Sequence, residues 1–332
     1  MTSAPGRWFL VWVARCGQSS AKIFGEWPVG ELTEPEGVRF LDELYADWQS
    51  RMLANPEYSM EDLRAIFEGW HKPTIEPENV HYKSSTIGGV PAIVAAGPED
   101  DGDFVIYCHG GGFCVGSADS RRKLGGHLAR HLRASVVVMD YRLAPEHPFP
   151  AAIEDSVAVY RALRAALPDG RRIVMAGDSA GGNLAIATAL KLRDLGEPPP
   201  AGIIAFSPWL DMQNSGETIE TNSSTDYLVN RGTVENMAAT YLAGASPIDP
   251  LANPLKADLA GLPPVYVNAG SSEALLSDTI RFGDAAKEAG VDVTVSIVDG
   301  MQHVFPVLAG RAPVVDDEIA KIAAWYQALK AI

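Results

Sequence analysis

The chain has 332 residues, of which 47% are hydrophobic and 21% charged, and its formal net charge is −15. These fractions are typical of a globular protein and exclude a disordered chain, and the length suits either two domains or one α/β domain with an insertion. Because 42 acidic residues oppose 27 basic ones, we expect neither a nucleic acid nor an anionic membrane surface as a partner.

The cysteines and the N-terminal region indicate the cellular setting. Cys16, Cys108 and Cys114 are an odd number without regular spacing, which predicts reduced thiols in the cytoplasm rather than a disulfide framework. The apolar run over 8–14 ends at Arg15 and lacks the cleavage site of a signal peptide. It is too short to span a membrane, so we expect no stable membrane insertion. We interpret it as a buried or cap-forming helix, with an interfacial anchor as the alternative.

The predicted elements change in character after residue 75. Residues 1–75 have apolar positions at helical spacing over 38–53 and 60–70. After them, short apolar runs alternate with helical stretches, a pattern typical of a mainly parallel α/β sheet. Five of the seven tryptophans lie in the first segment: Trp8, Trp12, Trp27, Trp48 and Trp70.

The remaining predicted elements follow in chain order. Strands are predicted over 80–86, 90–96, 104–108, 135–140, 172–176, 202–207, 264–269 and 291–298. Helices are predicted over 122–132, 151–166, 183–195, 234–242, 275–288 and 315–330. The polar stretch after residue 210 interrupts the alternation, and we interpret 211–250 as an insertion. The sequence thus predicts one α/β core, 76–210 and 251–332, with a helical cap formed by 1–75 and 211–250.

The strand over 291–298 has alternating apolar residues and lies near the end of the chain. We expect it at the edge of the sheet, where it would be free to pair with its copy in a homodimer.

The strongest chemical motif is Gly-Asp-Ser-Ala-Gly at 177–181, between a predicted strand and a predicted helix. A strand–turn–helix is the setting in which a serine lies on a tight, strained elbow with its hydroxyl exposed. Small residues are needed around it because the turn is too tight for side chains. Ser179 is therefore a candidate nucleophile, and a plain glycine-rich turn is the alternative. We expect Asp178, beside it, to be structural.

A second motif, His-Gly-Gly-Gly-Phe at 109–113, directly follows the predicted strand over 104–108. Consecutive glycines let backbone N–H groups point into a cavity and stabilise an oxyanion, whereas the alternative is a flexible surface turn. The glycine spacing fits neither a dinucleotide-binding fingerprint nor a P-loop. Cys108, His109 and Cys114 lack the second ligand pair of a zinc site, so we expect no metal and no cofactor.

A serine nucleophile needs a base, and the base needs a carboxylate that orients it. Of the seven histidines, only His303 follows Ser179, in a loop just past the last predicted strand. Glu273 lies just past the predicted strand over 264–269, whereas Asp278 falls a turn inside the next helix. The position of active sites at the carboxyl ends of strands favours Glu273 as the acid and leaves Asp278 as the alternative.

Three ordered motifs, at 109–113, 140–146 and 177–183, together resemble the hormone-sensitive-lipase-like family of microbial esterases. Ser-Pro-Trp at 207–209 and Leu-Pro-Pro at 262–264 are also similar to that family. The resemblance implies an α/β-hydrolase fold with a helical cap. The family's usual acid is aspartate, and Glu273 departs from it.

The resemblance also implies roles for backbone and side-chain groups around the nucleophile. An oxyanion hole is expected from the N–H groups of Gly111, Gly112 and Ala180, and substrate contacts are expected from Phe113 and Trp209.

The sequence thus predicts a serine carboxylesterase that hydrolyses uncharged short- to medium-chain esters through an acyl-serine intermediate. The cap tryptophans favour an apolar pocket, and the acidic composition disfavours anionic substrates. The alternatives are hydrolysis of a lactone, thioester or amide by the same mechanism, and a non-catalytic small-molecule-binding member of the fold. A third alternative, an interfacial lipase, would need an exposed apolar lid face, for which 8–12 is the candidate.

Overall fold

The structure is a computed structural model that describes residues 32–55 and 58–329. Its strands are β1 (His81–Ile87), β2 (Val90–Ala96), β3 (Phe104–Cys108), β4 (Ser135–Met139), β5 (Ile173–Asp178), β6 (Gly202–Phe206), β7 (Val265–Gly270) and β8 (Val293–Val298). Its α-helices are α1 (Glu34–Ala54), α2 (Met60–Phe67), α3 (Ala118–Leu132), α4 (Ala151–Ala166), α5 (Ala180–Asp194), α6 (Thr218–Thr221), α7 (Arg231–Leu242), α8 (Leu276–Glu288) and α9 (Pro313–Ala328).

The strands form one sheet in the order β1-β2-β4-β3-β5-β6-β7-β8. Strands β3 to β8 run parallel to one another, whereas β1 pairs antiparallel with β2 and β2 pairs antiparallel with β4. Every residue of β5, β6 and β7 is buried, which requires that helices and loops cover both faces of these strands. This architecture confirms the predicted α/β fold with a mostly parallel sheet.

The edge position predicted for the strand near the end of the chain is confirmed. Strand β8 is the last strand of the sheet, and Val295 and Ile297 are 42% and 41% exposed on it. Among residues 32–55 and 58–329, no strand pairs with the outer backbone groups of β8. A homodimer through this edge stays a prediction.

Several elements differ from the predicted boundaries at one end. The predicted strands 90–96 and 104–108 and the helix 151–166 match the structure, but α3 begins at Ala118 rather than at residue 122. Its first turn is stabilised by Ser117, whose hydroxyl accepts the N–H of Ser120 at 3.1 Å. The last predicted helix extends to residue 330, which lies outside the described residues.

The described N-terminal helices carry an aromatic cluster. The ring centroids of Trp48, Phe67 and Trp70 lie 5.0 to 5.7 Å from one another, at tilted or edge-to-face angles. Such arrangements add to the stabilisation that burial provides. The predictions for the apolar run over 8–14, Cys16 and the first three tryptophans lie outside the described residues.

Within residues 32–55 and 58–329, no helix is long and apolar enough to cross a membrane. Cys108 and Cys114 are buried free thiols.

A buried carboxylate joins the last helix to the edge of the sheet. Glu318, on α9, is fully buried. Its Oε1 accepts hydrogen bonds from the hydroxyl of Tyr266 and from Nδ2 of Asn268, both at 3.0 Å. Its Oε2 accepts from the hydroxyl of Ser296 at 3.0 Å and pairs with Lys321 at 3.3 Å.

We expect Glu318→Leu to lower the free energy of unfolding by about 2–4 kcal/mol, because three polar side chains lose their acceptor. Asp317, the exposed neighbour on the same helix, supplies the control: Asp317→Leu should change stability by less than about 0.5 kcal/mol. Urea unfolding of both variants measures the difference. Equal losses would contradict a special role for the buried carboxylate.

Candidate active site

The candidate residues follow neighbouring strands of the sheet. Ser179 comes directly after β5, Ser207 after β6, Glu273 shortly after β7, and His303 in the loop after β8. Because parallel strands end at the same edge, four distant parts of the chain meet there.

Ser179 lies on a strained elbow between β5 and α5. Its backbone has φ 54° and ψ −121°, and its N–H donates to the carbonyl of Phe206 at 2.9 Å. Positive φ is unfavourable for a residue with a Cβ, so the surrounding structure must hold it. The close approach of α5 to β3 requires Gly181, where an added Cβ would lie 2.0 Å from the carbonyl oxygen of Cys108. The strand–turn–helix setting predicted for the motif is present.

His303 and Glu273 are in direct contact. Nδ1 of His303 lies 3.0 Å from Oε2 of Glu273, and both side chains are buried. The other carboxylate oxygen, Oε1, accepts from the hydroxyl of Ser207 at 2.6 Å and from the backbone N–H of Gly270. Since a carboxylate only accepts, Nδ1 carries the proton and Nε2 is left as the basic nitrogen.

Burial alone would lower the pKa of His303, because it penalises the imidazolium. The hydrogen bond and the charge of Glu273 act in the opposite direction, with smaller contributions from Asp226 and Asp178, and together they raise the pKa of His303.

The alternative acid, Asp278, is engaged elsewhere. Its Oδ2 accepts the N–H groups of Leu210 and Asp211 at 2.8 and 3.0 Å, and its Oδ1 pairs with Arg281 at 2.6 Å. Of the two candidate acids, the structure therefore brings Glu273 to His303.

The glycine loop after β3 has the backbone shape that its sequence suggested. Gly111 has φ 120° and Gly112 has φ 59°, values that favour glycine. The carbonyl of Gly111 accepts the N–H groups of Cys114 and Val115, both at 3.0 Å, which fixes the turn. Ala180 is the first residue of α5, so its N–H lacks an acceptor within the helix.

Asp178, beside the candidate nucleophile, is buried and structural. It pairs with the buried Arg121 at 2.7 Å, and its Oδ1 accepts the hydroxyl of Tyr107 at 2.8 Å and the N–H of Gly110 at 3.0 Å. Burial opposes ionisation, but the charge and hydrogen bonds of Arg121 outweigh it and lower the pKa of Asp178. The pair thus ties the elbow to the glycine loop.

A cavity of about 40 Å³ lies where these parts meet. Ser179, His303, Gly111 and Gly112 line it together with Thr233. The remaining lining side chains are apolar or aromatic: Met52, Phe67, Trp70, Trp209, Leu228, Val229, Val234, Met237 and Leu275.

The two residues expected to contact substrate have different positions. Trp209 lines the cavity and donates its indole N–H to Asn214 at 2.9 Å. Phe113 is not among the described residues that line the cavity. Its ring is buried and stacks on Tyr241 at 3.8 Å, with Tyr141 at its edge. Phe113 therefore packs the glycine loop against α7.

Three residues of the site were missed by the sequence reasoning. The hydroxyl of Ser207 donates to Glu273 and accepts the N–H of Val304 at 3.0 Å, and its place directly after β6 was the available signal. The hydroxyl of Tyr45, on α1, donates to the carbonyl of His303 at 2.8 Å. Asp226, in a polar stretch without periodicity, accepts the N–H of Ala274 at 2.7 Å.

We expect Arg121→Met to lower the free energy of unfolding by about 3–5 kcal/mol, since Asp178 is left as an uncompensated buried charge. In the variant, Asp178 takes up a proton as the pH falls, which removes the buried charge. The loss of unfolding free energy should therefore be larger at mildly alkaline than at mildly acidic pH. Arg122→Met is the control, because Arg122 forms only partly exposed ion pairs with Glu76 and Asp119. Arg122→Met should lower the free energy of unfolding by less than about 1 kcal/mol. Urea unfolding across pH checks both, and a pH-independent loss for Arg121→Met would contradict the argument.

Comparisons with known proteins agree with the fold. Residues 105–307 match a family model described as the alpha/beta hydrolase fold. An acetyl-hydrolase of Streptomyces hygroscopicus is 37% identical over 272 residues, which cover 76% of this chain and 90% of the relative. The carboxylesterase NlhH of Mycobacterium tuberculosis is 32% identical over 293 residues, covering 85% of this chain and 88% of the relative.

Solved structures give the same result. The crystal structure of an esterase from the bacterial hormone-sensitive lipase family has a TM-score of 0.83 and 38% identity, covering 88% of this chain and 97% of that chain. The esterase EstE5, in a structure soaked with p-nitrophenyl butyrate, has a TM-score of 0.81 and 33% identity, with coverages of 88% and 97%. The chain belongs to the bacterial hormone-sensitive lipase family of α/β-hydrolase-fold esterases and is a carboxylic ester hydrolase.

Proposed function

We propose that the chain hydrolyses esters by a serine mechanism, with Ser179 as nucleophile, His303 as base and Glu273 as the acid that orients it. The observation that carries this proposal is that Ser179 and His303 line one cavity while Nδ1 of His303 is held by Glu273. This leaves Nε2 to take the proton of the serine hydroxyl.

The reaction proceeds in two half-reactions. His303 removes the proton of Ser179 as its oxygen attacks the ester carbonyl, and the tetrahedral oxyanion is stabilised by the N–H groups of Gly111, Gly112 and Ala180. The intermediate collapses to an acyl-serine, and the alcohol leaves with the proton from the imidazolium. Water then gives up a proton to His303 and attacks the acyl-serine. The second tetrahedral intermediate collapses, the bond to the serine oxygen breaks, and the imidazolium returns its proton to Ser179 as the acid is released.

The cavity supports an uncharged acyl group of short to medium length. Among the described residues that line it, the side chains are apolar or aromatic except for Ser179, Thr233 and His303, and Lys, Arg, Asp and Glu are absent. A charged substrate would lose its hydration there without a counter-ion. The relatives include an acetyl-hydrolase and a structure soaked with p-nitrophenyl butyrate, which supports short acyl chains. Trp209 is the proposed substrate contact.

Two distant segments close the cavity, which supports their proposed role as a cap. Met52 and Phe67 come from the described part of the N-terminal segment 1–75. Leu228 and Met237 come from the insertion 211–250. A pocket whose walls come from outside the core is typical of a cap that selects the substrate.

We expect Ser179→Ala to lower kcat for p-nitrophenyl butyrate by about 10³-fold or more, because the acyl-enzyme is no longer formed. A series of p-nitrophenyl esters from acetate to laurate measures the acyl preference, which should decline beyond medium length. Burst release of one equivalent of p-nitrophenol would support the acyl-serine. Turnover of Ser179→Ala at the wild-type rate would overturn the serine mechanism, and preference for emulsified long-chain triglyceride would indicate a lipase.

The choice of acid has its own test. We expect Glu273→Gln to lower kcat by about 10²-fold or more and to shift the acid limb of kcat/KM to lower pH. The reason for the shift is that the carboxylate that raises the pKa of His303 is gone, and the base must be neutral to act. Asp278→Asn should lower stability but leave kcat of the folded protein within about threefold. If only Asp278→Asn removes activity, Glu273 is not the acid.

A further inference from the structure

Asp226 lies in the insertion, between α6 and α7, and its side chain is buried. Its Oδ1 accepts the N–H groups of Leu228 and Val229 at 2.9 and 2.7 Å, and both of these residues line the cavity. Its Oδ2 accepts the N–H of Ala274 at 2.7 Å. One carboxylate therefore joins a wall of the cavity to the residue that follows Glu273 in the chain.

The residues on either side of Asp226 form hydrogen bonds with the loop that carries His303. The carbonyl of Thr225 accepts Nε2 of Gln302 at 2.6 Å, and the N–H of Tyr227 donates to Oε1 of the same side chain at 3.1 Å. Gln302 directly precedes His303. The turn 225–229 thus contacts the chain immediately after the proposed acid and immediately before the proposed base.

We propose that Asp226 is a positioning residue for ester hydrolysis, which holds the loops that carry Glu273 and His303 in register with the wall of the substrate cavity. The inference rests on the proposed serine mechanism and adds a residue to it.

The chemistry at this position suits a carboxylate. Three N–H donors converge on its two oxygens, and a carboxylate supplies acceptors only. In Asp226→Asn, the amide oxygen would still accept from Leu228 and Val229. The amide NH₂ would then face the N–H of Ala274. The substitution therefore breaks the contact with the loop that carries Glu273 and keeps the hydrogen bonds within the turn 225–229.

The charge of Asp226 also acts on the base. Burial outweighs the opposing effects of the His303 charge and of the three N–H bonds, so the pKa of Asp226 is raised to about 6. The Asp226 carboxylate in turn raises the pKa of His303, together with Glu273 and Asp178. The other titratable group that the Asp226 charge affects is the hydroxyl of Tyr45, whose pKa it raises. Removing the charge therefore lowers the pKa of His303 and moves the acid limb of kcat/KM to lower pH.

The test compares wild type, Asp226→Asn and Asp211→Asn with p-nitrophenyl butyrate. Asp211 is a matched control, because it is also a buried aspartate of the insertion. It accepts the N–H groups of Gln213 and Ser215 at 2.9 and 3.0 Å and pairs with Arg281 at 3.1 Å. Thermal melting gives the stability of each variant, and kcat, KM and the pH profile of kcat/KM are measured on folded protein.

We expect Asp226→Asn to lower kcat about 10- to 100-fold, with KM within about threefold, because small displacements of catalytic groups cost this much. Its acid limb should move to lower pH by about half a unit. Asp211→Asn should lower the melting temperature but leave kcat within about threefold and the acid limb in place. Equal kcat and equal acid limbs in the two variants would overturn the proposal.

If Asp226→Asn does not fold, Gln302→Leu tests the other contact of the turn 225–229, the one with the loop that carries His303. It removes both hydrogen bonds to the turn but keeps the Asp226 charge, so kcat should fall while the acid limb stays in place. Wild-type kcat in Gln302→Leu would overturn the proposal. Failure of the serine mechanism is recognised separately, by full activity of Ser179→Ala.

Discussion

The parallel register of β3, β5, β6, β7 and β8 is the constraint on which the site depends. Backbone hydrogen bonds hold neighbouring strands about 4.8 Å apart, and the parallel direction places all their carboxyl ends at one edge. Residues far apart in the chain, such as Ser207 and Glu273, are thereby brought within 2.6 Å of each other. Loops of a few residues then suffice to complete the contacts, and short loops have little conformational entropy to lose.

Two buried carboxylates at this edge have different partners and therefore different roles. Asp178 faces the guanidinium of Arg121, which is charged at every relevant pH, so that pair is a permanent part of the framework. Glu273 faces an imidazole, and in the proposed mechanism the positive charge of that imidazole is required only while the serine proton is on His303. An interaction that strengthens when the imidazolium forms lowers the barrier rather than merely binding the substrate.

Strongly patterned parts of the structure were predictable from the sequence. The apolar run of β3 and the periodicity of α4 marked their own boundaries, and Ser179 and His303 followed from a motif and from chain order. The buried role of Arg121 was not predictable, because the first turn of α3 is polar and depends on the cap by Ser117. The packing of Phe113 was not predictable for another reason, since it depends on stacking with Tyr241, more than a hundred residues away in the chain. Local patterns do not specify such contacts.

The glutamate at position 273 explains why the acid loop is so extensively bonded. Glutamate has one more rotatable bond than aspartate, so holding its carboxylate against His303 costs more side-chain entropy. The hydroxyl of Ser207 and the N–H of Gly270 both donate to Oε1, which restrains the carboxylate and leaves Oε2 for the imidazole. The backbone beyond it is held at Ala274 by Asp226. The longer side chain of Glu273 is thus compatible with a rigid site. Ser207 and Gly270, at the ends of strands, bond its carboxylate, and Asp226 bonds the backbone that follows it. The segment 211–250 thereby contributes to the wall of the cavity and contacts the loops that carry Glu273 and the proposed base.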